Sequence, residues 1–173
     1  MLELAKILLP ALVVALAMVA VVALYFKQML AQRDRDLAQR GKELTLPLRT
    51  QAYERLILFL ERCTLAQLML RLPAEGYSVA GYAHDLIAMV NQEFEHNLSQ
   101  QLYVGDLAWQ QVVQAKNEAI DRIVTARNEL NQEALAYEMV GQLLDRVARQ
   151  GDDHGADAIR MLKKEAARLW GQY

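Results

Sequence analysis

The chain opens on an apolar block without a break. Positions 7–26 read ILLPALVVALAMVAVVALYF, 20 residues with no charge and no side-chain amide. About 20 apolar residues span the hydrocarbon of a bilayer as one helix, and such a helix satisfies its own backbone hydrogen bonds there. Pro10 falls near the first turn, where a missing N–H costs little. From position 46 the pattern becomes amphipathic. Pro47 suits the first turn of a predicted helix with Thr45 or Leu46 near its cap, and Tyr53, Leu56, Ile57 and Leu60 give that helix an apolar face. Cys63 and Thr64 mark a break, with Thr64 capping a short piece over 65–72. Pro73, Gly76 and Ser78 mark a loop, and Ser78 caps a helix that runs to about Tyr103.

Gly105 is the next punctuation, with Asp106 as N-cap of a helix beginning at Leu107. From there to Arg149 no Pro occurs and Gly141 is the only Gly, so one long helix is expected. Ile123, Leu130, Tyr137 and Leu144 recur at every seventh position, with Ala126, Ala134, Gly141 and Ala148 near the intervening ones. That is a heptad-like seam edged by small residues, which permit close helix approach. It reads as a core-facing stripe of an antiparallel bundle in preference to a free coiled coil. The GDDHG of 151–155 is a turn in which Asp152 or Asp153 caps a last helix, with Ile159, Leu162, Ala166 and Leu169 on its apolar side. The expected fold is therefore all-α: a short tail over 1–6, a transmembrane helix over 7–26, a basic juxtamembrane linker over 27–45, and an antiparallel helical bundle with one long helix over 46–173.

Composition agrees with helices. Gly and Pro number only 8 and 3 in 173 residues, too few for a many-turned β protein. The hydrophobic fraction of 54% exceeds the usual soluble range, and the first block explains much of the excess. A cleaved signal peptide is the rival reading of that block. Glu3 beside Lys6 gives it no positive lead, and the run is longer than a usual signal core, so an uncleaved anchor is favoured. Charge then sets orientation. Lys27, Arg33, Arg35, Arg40, Lys42 and Arg49 stand against Asp34, Asp36 and Glu43, a net of +3 after the block. The positive-inside rule places that side in the cytoplasm and the N-terminus outside, in a bacterial inner membrane. Residues 50–173 hold 12 basic and 17 acidic side chains, a net of −5, which argues against nucleic-acid binding through bulk charge.

Candidate chemistry centres on 91–104, NQEFEHNLSQQLYV. Extended as an α-helix, it carries Ala83, Leu86, Val90, Phe94 and Leu98 as an apolar stripe, with Asn97 and Gln101 inside it as an expected buried amide pair bonded to the first bundle helix or the Gly105 turn. Glu93, His96, Gln100 and Tyr103 fall on the flank. Glu93 and His96 form an E-x-x-H spacing, but a di-iron bundle needs two such units plus two further Glu, and only Glu93 has a His three residues on. H-E-x-x-H, phosphate-cradling glycine motifs and G-x-S-x-G are absent from the sequence. No metal, cofactor, catalytic residue or small-molecule substrate is indicated. The single cysteine, Cys63, cannot form an internal disulfide and reads as an inert core thiol. Trp170 and Tyr173 lie at the free end, either sealing the core, the favoured reading, or offering a partner surface.

Two stretches carry a resemblance. LPLRTQAYERLILFLERCT at 46–64 and EFEHNLSQQLYV at 93–104, followed by Ala108 and Trp109, resemble an uncharacterised family of single-pass membrane proteins found in Bacteroidetes. The resemblance covers most of the chain from the anchor to the final helix. It implies an N-terminal anchor and a small helical domain, and it brings no activity or catalytic residue. Similar chains often carry Ser-Pro after LFLER, where this one has Cys63, Thr64 and Leu65. The functional expectation is a non-enzymatic scaffold, adaptor or accessory subunit that docks on a larger membrane assembly or on copies of itself. The alternatives are a peripheral-stalk-like element built on the long helix, and an enzyme using Glu93 and His96 as an acid–base or metal site.

Overall fold

The computed structural model describes the backbone of residues 2–151 and 155–171, and the side chains of 18–30, 32–33, 39, 41, 43–149, 151 and 155–171. Among these residues the chain is all-α, with seven helices. They are α1 (Leu2–Arg62), α2 (Leu65–Arg71), α3 (Val79–Asn97), a 3-10 helix (Leu98–Leu102), α4 (Asp106–Asn128), α5 (Ala136–Gln150) and α6 (Ala156–Trp170). The chain divides into two compact units, Met1–Thr45 and Leu46–Tyr173.

In the first unit the described side chains of Met18, Val19, Val21, Val22, Leu24, Tyr25 and Phe26 are all exposed. Among the described residues no helix is long and apolar enough to cross a membrane. Positions 7–17 of the predicted span, Pro10 among them, lie outside the described side chains, as do Glu3, Lys6, Asp34, Arg35, Asp36, Arg40 and Lys42. The expected helix start at Thr45–Pro47 is not observed, because α1 continues through Pro47. Proline there withholds one N–H from the helical ladder. The Thr45 hydroxyl donates back to the Gly41 carbonyl at 3.0 Å rather than capping a new helix.

The second unit owns a core. Ala52, Tyr53, Leu56, Phe59, Leu60 and Cys63 line the buried face of its α1 segment. Thr64 ends that face and caps α2, accepting from the Gln67 N–H at 3.4 Å. Ser78 does the same for α3, accepting from the Gly81 N–H at 3.2 Å. The buried stripe of α3 is Val79, Tyr82, Ala83, Leu86 and Val90. Packed against it, α4 buries Ala108, Val112, Ala115, Ala119, Ile123 and Ala126. Four alanines in that stripe let neighbouring helices approach closely, and α6 packs on α4 through Ala158, Leu162 and Ala166. Gly155 before α6 is tight for a reason: a Cβ there would stand 3.3 Å from the Leu60 Cβ.

Three expectations fail here. Gly105, not Asp106, is the N-cap of α4, and Asp106 is its first residue. The single helix over 107–149 is two helices, α4 and α5, separated by 129–135, so no continuous rod and no heptad seam exists. Tyr137 and Leu144 are exposed while Ile123 is buried. The cause of the break is tertiary. Val79 and Ala80, whose N–H groups have no partner within α3, donate to the Ala134 and Gln132 carbonyls at 2.9 and 3.1 Å. Ala136 N–H returns a bond to the Tyr77 carbonyl, closing an isolated bridge between Ser78 and Leu135. Asn131 shapes the loop by accepting from the Glu133 N–H. At the end of α5, Gly151 takes φ +79°, a region costly for any side chain, and Arg122 donates to its carbonyl at 3.0 Å. Asp152 and Asp153, the expected caps of α6, lie outside the described residues; its N-cap is Gly155.

Candidate functional site

The face sequence reasoning singled out lies along α1, α2 and the C-terminal half of α3. Two adjoining open hollows, each of about 250 Å³, share Arg62, Glu93 and His96. Arg71, Met89 and Gln92 complete the first; Arg55, Leu58, Phe59 and Asn97 complete the second. Glu93 sits largely shielded at their junction. Its Oε1 accepts from the Arg71 Nη1 at 3.0 Å and lies 3.7 Å from the Arg62 Nε. The partners of Glu93 are these arginines and not His96, its E-x-x-H neighbour, which lines the hollows as an exposed side chain. Among the described residues no group of three or more His, Cys, Asp and Glu is disposed to hold one metal ion. Beneath this face Phe94 lies 5.8 Å from Phe59 and stacks on Trp109 at 5.4 Å, with the Lys116 ammonium 5.2 Å from its ring centre. The arrangement presents three guanidinium groups against one carboxylate, which suits contact with an anionic group.

Cys63 lies under the same face. Burial, and secondarily the Glu93 charge, push its thiol from 9.0 up to about 12. The thiolate, the nucleophilic form, is therefore suppressed.

The expected amide pair is displaced. Asn97 is half-buried and donates to the Glu93 carbonyl of its own helix at 2.8 Å, while Gln101 is exposed. The buried amide is Gln100, 8% exposed, which donates to the Ser99 hydroxyl. The reason is the 3-10 helix at Leu98–Leu102. Three residues per turn rotate the side chains away from the α-helical register, so Leu98 and Leu102 face outward and Gln100 inward.

A polar network that sequence reasoning missed joins α1, α6 and the turn before α4. Glu165 Oε1 accepts from the Tyr53 hydroxyl at 3.0 Å and the Gly105 N–H at 2.8 Å, and lies 3.5 Å from the Arg49 Nη2. Arg49 also donates to the Tyr103 carbonyl at 3.0 Å and to the Tyr53 oxygen at 3.2 Å. Burial first, then the bond to Glu165, raise the Tyr53 hydroxyl above its ordinary value. A Cβ on Gly105 would stand 3.0 Å from the Glu165 carboxylate, so the turn is kept clear by glycine. Sequence reasoning gave Gly105 as punctuation, Tyr53 as part of an apolar face, Tyr103 as a flank residue and Arg49 as a charge, and nothing linked them to Glu165. At the free end Trp170 is 57% exposed and donates weakly to Thr50 at 3.5 Å, so it does not seal the core. Tyr173 lies outside the described residues.

The chain belongs to a family of unknown function, DUF7935, whose profile matches residues 1–169. No curated protein and no solved structure is significantly similar to it.

Proposed function

We propose that the chain is a membrane-anchored, non-enzymatic scaffold or adaptor, an accessory subunit whose helical unit docks other proteins at the cytoplasmic face of a bacterial inner membrane. The observation that carries this reading is the contrast between the two units. In the first, apolar side chains from Met18 to Phe26 are exposed on all sides of a helix with nothing packed on them, a pattern for helices surrounded by hydrocarbon or by a large core. In the second, the candidate acid and base stand apart: Glu93 is engaged by two arginines, and His96 is exposed. What remains on the surface is contact chemistry, namely the arginine-lined hollows and exposed Leu102, Leu107, Tyr137, Leu144 and Trp170. The N-terminus faces outward on the charge pattern that follows position 26.

Two measurements test the reading. A reporter fused after the last residue should be active only in the cytoplasm, and membranes washed at alkaline pH should retain the chain. Extraction in mild detergent should yield a species larger than one chain with its micelle. Periplasmic reporter activity would overturn the orientation; a chain released by washing would overturn the anchor. A chain monomeric in every native extract would overturn the scaffold.

A further inference from the structure

The hollow along α1 holds positive charge that the chain itself does not neutralise. Arg55, Leu58 and Arg62 stand at steps of three and four on α1 and so share one face. All three are exposed, and all three line the hollow that His96 and Asn97 close from α3. The α1 residues three and four positions from either arginine are Gln51, Ala52, Leu58 and Phe59, none of them acidic. Glu54 and Glu61 are only chain neighbours of the arginines, which do not face them on a helix, and neither they nor Glu95 line either hollow. Glu93 is the one carboxylate among the lining residues, and its close bond, at 3.0 Å, goes to Arg71. Arg62 stands off at 3.7 Å with its side chain 59% exposed. Arg55 has no hydrogen bond or ion pair among the described residues. With Arg71 balancing Glu93, two guanidinium groups converge on one hollow without a counter-charge.

Their chemistry narrows what can supply it. A guanidinium presents paired N–H donors that match the oxygens of phosphate or carboxylate. A single carboxylate would leave one of the two charges unmet. A phosphomonoester carries about −1.5 to −2 near neutral pH and offers three acceptor oxygens. His96 and Asn97 add N–H donors on the α3 side. The lining is also partly apolar: Leu58 is largely exposed, and Phe59 is held from behind by Phe94. These carbons give the organic part of an ester a surface to rest on, which inorganic phosphate cannot use. Size and charge decide the source. A hollow of about 250 Å³ admits a small molecule. An anionic bilayer is an extended negative surface, and it opposes the net −5 of residues 50–173. A small ester is screened from the distant acids and meets mainly the local arginines.

We infer that this hollow binds a small, soluble phosphomonoester. Arg55 and Arg62 take its phosphoryl oxygens, and Leu58 and Phe59 carry its carbon part. The inference goes beyond the adaptor reading and stands whether or not the helical unit docks another protein.

The test is calorimetric titration of the full chain in a non-ionic detergent, with phenyl phosphate as the probe. One molecule should bind per chain. Benzoate, with the same ring and a single charge, and inorganic phosphate, with the charge and no ring, should each bind more weakly. Arg55→Gln should weaken phenyl phosphate roughly tenfold or more, the scale of losing a charge-assisted pair, while the melting temperature holds because Arg55 is exposed and unpaired. Arg168→Gln removes an exposed arginine on α6, outside the hollow, and should leave the affinity unchanged. Absence of saturable binding, benzoate binding as tightly as phenyl phosphate, or equal losses in Arg55→Gln and Arg168→Gln would each overturn the inference. Dihexanoyl phosphatidic acid carries the same phosphoryl group on a lipid. Saturable binding of that lipid with none of phenyl phosphate would overturn the soluble source.

Discussion

Glu165 ties three parts of the bundle together through one oxygen, and this makes its removal informative. Glu165→Ala leaves the Tyr53 hydroxyl and the Gly105 N–H without their acceptor, a loss of about 1–3 kcal/mol for a buried donor. The melting temperature should fall by about 2–4 °C per kcal/mol for a chain of this size. Asn97→Leu, by contrast, removes only a bond within α3 and should shift stability by no more than about 0.5 kcal/mol. Denaturant midpoints of the two variants measure the difference. Cys63 makes a prediction about pH. Its thiol is raised in the fold, so the unfolded chain loses its proton first. The stability this contributes is complete below about pH 9 and is lost as pH climbs toward 12. Native protein should resist thiol reagents at neutral pH. The stability gap between the wild-type chain and Cys63→Ala should narrow between pH 9 and pH 11, and urea midpoints at the two pH values check this.

Elements differ in how much of them can be read from sequence. Thr64 and Ser78 announce α2 and α3 because a hydroxyl ahead of an apolar run is a local signal, and both accept the expected cap bonds. The apolar faces of α1, α3 and α6 follow from spacing alone. The break between α4 and α5 was illegible for the opposite reason. No Gly or Pro marks 129–135; its carbonyls are drawn out by the N–H groups of α3, more than fifty residues earlier in the chain. Gln100 was missed because a 3-10 helix changes the angle per residue without any breaker in LSQQL. The Glu165 network was missed because Glu165, which joins it, lies 112 residues from Tyr53 and 60 from Gly105, and no local pattern points to it. This division has a measurable consequence. Ser78→Ala removes one cap bond while Val79 and Ala80 keep their loop acceptors, so its cost should sit near the low end of cap losses, about 0.5–1 kcal/mol. Asn131→Ala loosens the loop that supplies those acceptors and should cost as much or more, although Asn131 is exposed. Melting curves of both variants decide it; a neutral Asn131→Ala would show that the loop holds its shape by packing alone.

At the scale of the whole molecule, the second unit carries a core of its own, from Ala52 to Ala166. A fragment of 46–173 should therefore fold with a cooperative thermal transition, measured by circular dichroism. A non-cooperative melt would mean that the first unit is needed for folding. The same unit contains both tryptophans of the chain, in unlike surroundings. Trp109 is stacked on Phe94 with the Lys116 ammonium close by, whereas Trp170 stands largely in solvent at the end of α6. Their emission should separate: Trp170 to the red and open to iodide quenching, Trp109 to the blue and shielded. The chain thus carries two built-in optical reporters, one on the fraying of its last helix and one on the melting of its aromatic centre, and a single fluorescence titration can time one event against the other without a label.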